Sequence, residues 1–502
     1  MADIGYAYLH KHFSLPVLPP KRPARVSAVN RVTPREEAVL VPASVAPSER
    51  DPLAHLVFAL KHEGVNLPIL LQSLTHVTPE ALRTALRAQP SSAYLRRLGL
   101  LWEHAWHQDL TDCPDLFGTT APLFDPRQTL TARQPQRHPK WRVAFNGLGS
   151  LEYCVLVEPT SEITQALASD LLGQATEFWE TTDTPLRERA LSWAYLHETQ
   201  SSYAIERERV SADKAESFMH ILREAGASRL VDETYLVNLQ NAVVTNPLDR
   251  AFGYRTEQNW LQGPLRGAAG VTYVPPAPSV LPDLMGSIED LANTLFQQTD
   301  PLVAASLVSF AFVFAHPFMD GNGRLSRFLF HRTLAQSGRL PPEMLLPISV
   351  AMKRHERAYL AALENFSRPA RMLWDVRWID EGQYTLRGPA SDAVYRYWEG
   401  TAAVTFGLRM AQEALRQDLQ QEVALLATYD TLFRRIDAAY DVRQSDLTTL
   451  IIACLDNGGR ISQNRRRRMA HAVPPEVFTA IEEAYRDTRE TGASIHAQGK
   501  GN

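Results

Sequence analysis

The sequence predicts an all-α protein: a mainly helical core that carries one small β-hairpin, with helical extensions on both sides. Helix starts of one kind recur along the chain, a polar capping residue followed by proline, as in Asp51-Pro52, Thr78-Pro79, Thr184-Pro185 and Asp300-Pro301. The cap's side-chain oxygen accepts an orphan N–H, and proline in the first turn gives up a donor that had no partner there. Strand-like runs, by contrast, are short and bounded by glycine and proline. At 502 residues, with 45% apolar and 22% charged side chains, the chain has room for two to four domains with ample cores. A net charge of −4 supplies no global attraction to nucleic acid or to an anionic membrane. Cys113, Cys154 and Cys454 are scattered and odd in number, which fits a reducing compartment, the cytoplasm. The first residues lack the charged-then-apolar pattern of a signal peptide. The apolar run Leu302–Phe314 is too short to span a bilayer.

Residues 1–50 read as a proline-rich arm, either laid across the body of the protein or free of it. Residues 51–158 read as a helical N-terminal domain. Its helices are predicted at Leu53–His62, Asn66–Leu74, Thr78–Ala88 and Leu95–Trp106; a linker over Gly118–Trp141 and short strands within Arg142–Val157 follow. Residues 159–385 form the core. A helix starting at Thr184-Pro185 opens it, a hairpin follows between Gly253 and Val274, and a helix over Ser287–Gln298 leads to Asp300. Residues 386–502 form a helical C-terminal extension: a long amphipathic stretch Val404–Tyr440, a helix Ser445–Asp456 capped by Ser445, a stretch capped by Ser462, and a last helix Pro474–Arg489. Arg465–Arg468 lie in the Ser462 stretch. They read as a solvated basic face, with a helix-turn-helix contact to DNA as the alternative.

The densest chemistry lies in Phe314-Ala315-His316-Pro317-Phe318-Met319-Asp320-Gly321-Asn322-Gly323-Arg324-Leu325-Ser326-Arg327. The apolar helix before it has almost no polar face and is therefore buried. A new helix begins at Arg324. The loop between them sets glycine-rich backbone N–H groups at a helix N-terminus, an anion hole. Arg324 and Arg327 lie three apart on one helical face, within reach of phosphate oxygens. Asp320 offers a hard oxygen ligand of the kind Mg²⁺ takes when phosphates supply the rest. His316 can accept a proton near neutral pH. Together these residue types suit transfer of a phosphorus-containing group.

This segment resembles the signature of the Fic family, H-P-F-x-[DE]-G-N-G-R-x-x-R, at every fixed position. The resemblance implies AMP transfer from ATP, with Mg²⁺, to a Ser, Thr or Tyr hydroxyl of a target protein and of the chain itself. On that reading His316 is the base and Asp320 the Mg²⁺ ligand. Gly321, Asn322 and Gly323 form the anion hole, and Arg324 and Arg327 hold the outer phosphates. Gly323 also separates AMP transfer from the phosphorylation of relatives that carry a larger residue there. In many Fic proteins a helix with [ST]-x-x-x-E-[GN] lies beside the ATP site and blocks it. Ser202 and Glu206 match that pattern, so Glu206 is expected to pair with Arg327; Arg207 departs from it. Fic proteins also place a flap where the hairpin falls. Glu257, Gln258, Asn259 and Trp260 are accordingly expected to present an extended target segment by strand addition. Tyr359 matches one of a tyrosine pair near the adenine. Phe58–Leu67 and Tyr94–Arg97 are similar to an N-terminal segment of long bacterial Fic proteins. A chain that removes AMP, or that binds nucleotide silently, remains the alternative; a homodimer is an admissible assembly, and no membrane partner is expected.

Overall fold

The computed structural model describes residues 2–48, 51–380 and 382–498, of which 491–498 as backbone only. Helices dominate, and the strands form five small sheets of two to four strands. The predicted caps form. Asp51 accepts a hydrogen bond from the Ala54 N–H at 3.1 Å, Asn66 from Ile69 at 3.2 Å and Thr78 from Ala81 at 3.3 Å, opening helices Pro52–His62, Leu67–Leu74 and Pro79–Ala88. At two predicted starts the serine or threonine lies inside the helix. Thr184 is the first residue of Thr184–Ile205, which Asp183 precedes, and Ser445 is the second of Gln444–Asp456, which Arg443 precedes.

The N-terminal arm is part of the body. Strands Asp3–Ile4, Ala24–Val26, Thr33–Pro34 and Val39–Val41 make a small sheet, and helix Gly5–His12 packs Tyr6 and Leu9 into the N-terminal domain. Prolines hide the pairing from the sequence, because the strands are two or three residues long.

The core is a single apolar cluster running from Leu148 to Leu419, centred on helix Pro301–Ala315. Asp300 caps that helix by accepting from Leu302 N–H at 2.9 Å, and all of its residues but Val313 are buried. Helices Leu281–Gln298, Asn322–Gln336 and Thr401–Glu413 surround it. The C-terminal boundary therefore lies later than residue 386, a position that falls inside a strand, Gln383–Arg387, paired with Asp375–Asp380. Beyond it, strand Tyr397–Glu399 returns to pair in parallel with Cys154–Leu156. A separate small core begins only in helix Gln420–Asp437 and gathers Leu432, Leu447, Ile451, Val477 and Ile481. Arg466 belongs to it, paired with Glu482 at 2.6 Å and lying over the Phe478 ring, whereas Arg465, Arg467 and Arg468 are exposed. No helix among the described residues is long and apolar enough to cross a membrane.

Candidate active site

The buried helix ends at His316, whose backbone takes the left-handed conformation, φ 48° and ψ 56°. A β-carbon makes that conformation costly, so the surroundings must hold it. They do so by hydrogen bonds to the loop's carbonyls. Arg255 donates from Nε to the His316 carbonyl at 2.9 Å, and its backbone N–H donates to the Pro317 carbonyl at 2.9 Å. The Tyr273 hydroxyl donates to the Phe314 carbonyl at 2.5 Å. The His316 ring is oriented locally: Nδ1 lies 3.2 Å from the Val313 carbonyl, an acceptor only, so Nδ1 carries the proton and Nε2 presents a lone pair. Burial pushes the imidazole down to about 4. The Arg255 charge adds to this, and Glu206 and Asp320 oppose it. A low value keeps the base unprotonated: kcat/KM for any His316-dependent reaction should hold its acid limb well below pH 6.5, where an unperturbed histidine would place it. A pH–rate profile with its limb near pH 6.5 would contradict this.

The next helix, Asn322–Gln336, starts behind Gly321, whose φ of 88° suits glycine. Its first N–H groups have no acceptor within the helix. Asn322 is a brace: its side chain accepts from Phe318 N–H at 3.0 Å and donates to Phe318 O at 2.8 Å. Gln240, fully buried on helix Glu233–Val243, supports the loop from below by donating to Asp320 O at 3.2 Å.

Arg324 and Arg327 are both 1% exposed. Arg327 donates from Nε to the Ser202 hydroxyl at 2.8 Å. Its NH2 donates to the Ser202 carbonyl at 2.8 Å and to Glu206 Oε1 at 3.0 Å. The pairing expected of Ser202 and Glu206 thus forms. Glu206 caps helix Thr184–Ile205 and lies over Gly323, where an added β-carbon would stand 2.0 Å from Glu206 Oε1. Arg207 follows at φ 60°, the left-handed position that explains why glycine or asparagine suits this place. Arg207→Gly should remove that strain and steady the turn by about 0.5–1 kcal/mol, net of glycine's greater freedom in the unfolded chain. The expected readout is a raised melting temperature, and an unchanged one would count against strain at this turn.

The sequence reading missed Glu208. The turn at Arg207 brings its carboxylate to Arg324 NH1 at 2.9 Å, where the Thr245 hydroxyl also donates to it at 3.0 Å. Arg324 NH2 meanwhile grips both oxygens of Asp320, at 2.8 and 2.9 Å, and its guanidinium lies over the Tyr203 ring. Each signature arginine therefore faces one carboxylate of the segment that ends helix Thr184–Ile205. That segment is fastened elsewhere. Buried Glu198 accepts from His331 at 2.7 Å and from Ser349 N–H at 2.7 Å, and Lys353 donates to the Ala204 carbonyl at 3.1 Å.

The hairpin is shorter than expected: only Leu261–Gln262 pairs, antiparallel, with Val271–Tyr273. Of the four expected flap residues, Glu257 is exposed, but Gln258 and Asn259 turn inward. Gln258 donates to the Pro275 carbonyl at 3.1 Å and Asn259 to the Phe318 carbonyl at 3.3 Å. Trp260 packs edge-on against Tyr384. These are loop supports, and the exposed strand is Leu261–Gln262. Tyr359 sits in the aromatic core against Phe310 and Phe406, its hydroxyl beside Arg327.

Two buried guanidinium nitrogens, Arg324 Nε and Arg327 NH1, lack any hydrogen-bond partner. An unmet buried donor is costly, and two of them in the first turns of a helix suit an incoming polyanion. Among the described residues no cluster of three or more His, Cys, Asp or Glu could hold a metal. Asp320 is suited to Mg²⁺ that takes its other ligands from phosphates and water.

Fold and site together define a helical protein in which a histidine in the left-handed conformation ends one buried helix and a glycine-bearing loop leads into a second helix with two buried arginines. Residues 230–334 match the model of the Fic/DOC family. The chain is 39% identical over 74 residues to a protein adenylyltransferase Fic of Drosophila willistoni, covering 14% of this chain and 15% of that protein. It is 34% identical over 96 residues to one of Aedes aegypti, covering 18% and 17%. The similarity to these curated relatives thus spans less than a fifth of their length. Among solved structures, a Fic family protein from Desulfovibrio desulfuricans aligns at 19% identity and a TM-score of 0.39, over 62% of this chain and 87% of that one. Fic-1 from C. elegans aligns at 13% and 0.32, over 74% and 91%.

Proposed function

We propose that the chain transfers AMP from ATP to a Ser, Thr or Tyr hydroxyl of a target protein, and to itself, and that Glu206 and Glu208 restrain it. The observation that carries this is the pair of buried, unpartnered guanidinium nitrogens on Arg324 and Arg327, in the first turns of the helix that follows the His316 loop. His316 Nε2 takes the proton of the attacking hydroxyl while Nδ1–H stays bonded to Val313 O. Attack at the α-phosphorus forms the new P–O bond and breaks the bond to pyrophosphate. Arg324 and Arg327 hold the β- and γ-phosphates, and the N–H groups at the start of helix Asn322–Gln336 face the developing charge. Mg²⁺, when bound, neutralises the leaving pyrophosphate; Asp320 would hold it once Arg324 turns to the phosphates. Gly323 leaves the loop open for ATP in the orientation that exposes the α-phosphate. The exposed strand Leu261–Gln262 offers its edge to an extended target segment. Three free cysteines accord with a cytoplasmic setting.

Incubation with α-labelled ATP and Mg²⁺, alone and with a cell lysate, followed by intact mass, tests this reading. A gain of one AMP per modified hydroxyl is expected. Label entering only from the γ-position would replace AMP transfer by phosphorylation, and loss of AMP from a pre-modified protein without any transfer would favour the removing reaction.

A further inference from the structure

Arg255 stands outside the signature and outside every role assigned above to a phosphate or a metal. The residue is 6% exposed, yet its side-chain hydrogen bonds all go to backbone carbonyls. Nε donates to His316 O at 2.9 Å, NH1 to Glu257 O at 3.1 Å and NH2 to Pro276 O at 2.5 Å. No carboxylate pairs with it among the described ion pairs. Burying an unpaired guanidinium costs several kcal/mol, so a site that keeps one uses its shape. A guanidinium is a flat fork with donors in several fixed directions. Here one direction meets the residue whose left-handed backbone aims the imidazole. The other two meet the two ends of the flap, Glu257 where it departs and Pro276 where it returns.

We propose that Arg255 is a positioning residue which locks the flap and the catalytic histidine into one rigid unit, so that a target strand docked on the flap meets His316 at a fixed distance. The proposal rests on the reading of His316 as the base. A hydroxyl delivered by main-chain pairing carries little information about its own position, so registry between flap and base decides whether it lies within reach of Nε2. An error of about 1 Å in such registry costs on the order of 100-fold in rate. Lysine cannot replace the fork, since one ammonium on a flexible stem cannot hold three diverging carbonyls in a plane.

The test uses the full chain carrying Glu206→Gly, with Arg255→Lys and Arg255→Met added singly. The expected result is a fall of at least about tenfold in the self-modification rate for both, with ATP affinity within about threefold of the parent, because Arg255 touches no phosphate site. In the nucleotide-free proteins, hydrogen exchange should rise at the amides of 257–262, 316 and 318 while the melting temperature stays close to the parent's. Restoration of the rate by lysine would overturn the proposal, as would unchanged exchange at those amides or failure of both variants to fold. If the parent itself transfers nothing, the function proposed above has failed; the exchange measurement still decides whether Arg255 couples flap and histidine.

Discussion

His316→Ala is expected to lower transfer by about 10²–10⁴-fold while leaving ATP affinity within a few-fold of wild type. The two effects separate because the groups do. The proposed phosphate contacts come from Arg324, Arg327 and the N–H groups of the following helix, none of which hydrogen-bonds to the imidazole. The loop itself is held through the backbone carbonyls at 314, 316, 317 and 318, which an alanine at 316 retains. Calorimetric titration of ATP together with single-turnover transfer reads both quantities. If ATP affinity collapsed as well, the histidine would be a structural element of the loop and its place as base would be lost.

Glu206→Gly should raise self-modification by at least about tenfold, and Glu206→Gly with Glu208→Gln should raise it by about the product of the two single effects. The incoming phosphates need both guanidinium groups. Each is now held by one carboxylate, Arg327 by Glu206 at 3.0 Å and Arg324 by Glu208 at 2.9 Å. Both carboxylates are partly solvated, so each pair is worth about 1 kcal/mol, or somewhat under tenfold. Glu206 does more than pair, because its carboxylate also covers Gly323, and its removal opens space as well as charge. Rates of the four chains at saturating and limiting ATP supply the comparison. A Glu208→Gln effect absent from both backgrounds would reduce Glu208 to a partner that departs with the nucleotide unopposed.

The signature site was legible because its parts are adjacent: His316, Asp320, Gly321, Gly323, Arg324 and Arg327 follow one another at fixed spacing, and the structure gathers them at one loop. Ser202 and Glu206 were legible as a spacing of residue types, although they meet Arg327 across more than 120 positions. Glu208 was not, since in a run of Glu and Arg nothing marks the charge that a left-handed turn will redirect inward. Arg255 and Gln240 were invisible for a different reason. Both act on main-chain carbonyls, and any residue supplies a carbonyl, so no partner residue type betrays them. Gln258 and Asn259 read as surface because polar side chains in a short strand ordinarily are; here they turn in to satisfy Pro275 and Phe318. Tyr359 lay where the resemblance put it in sequence, but its ring faces the Phe310 and Phe406 side of its helix.

The parallel pairing of Tyr397–Glu399 with Cys154–Leu156 also fixes an order of events during synthesis. Tyr397 and Ala393 fill the apolar core of the N-terminal domain, among Leu95, Trp102 and Phe145. A ribosome has to deliver helix Thr184–Ile205, the hairpin and the whole signature loop before those two residues emerge. Domains ordinarily mature from the N-terminus as they are made, but this one waits for a closure of very long range, a slow class of contact. Its last strand arrives only when the signature loop, Glu206 and Glu208 are already present, so a nascent chain gains a finished N-terminal domain and a complete signature loop together.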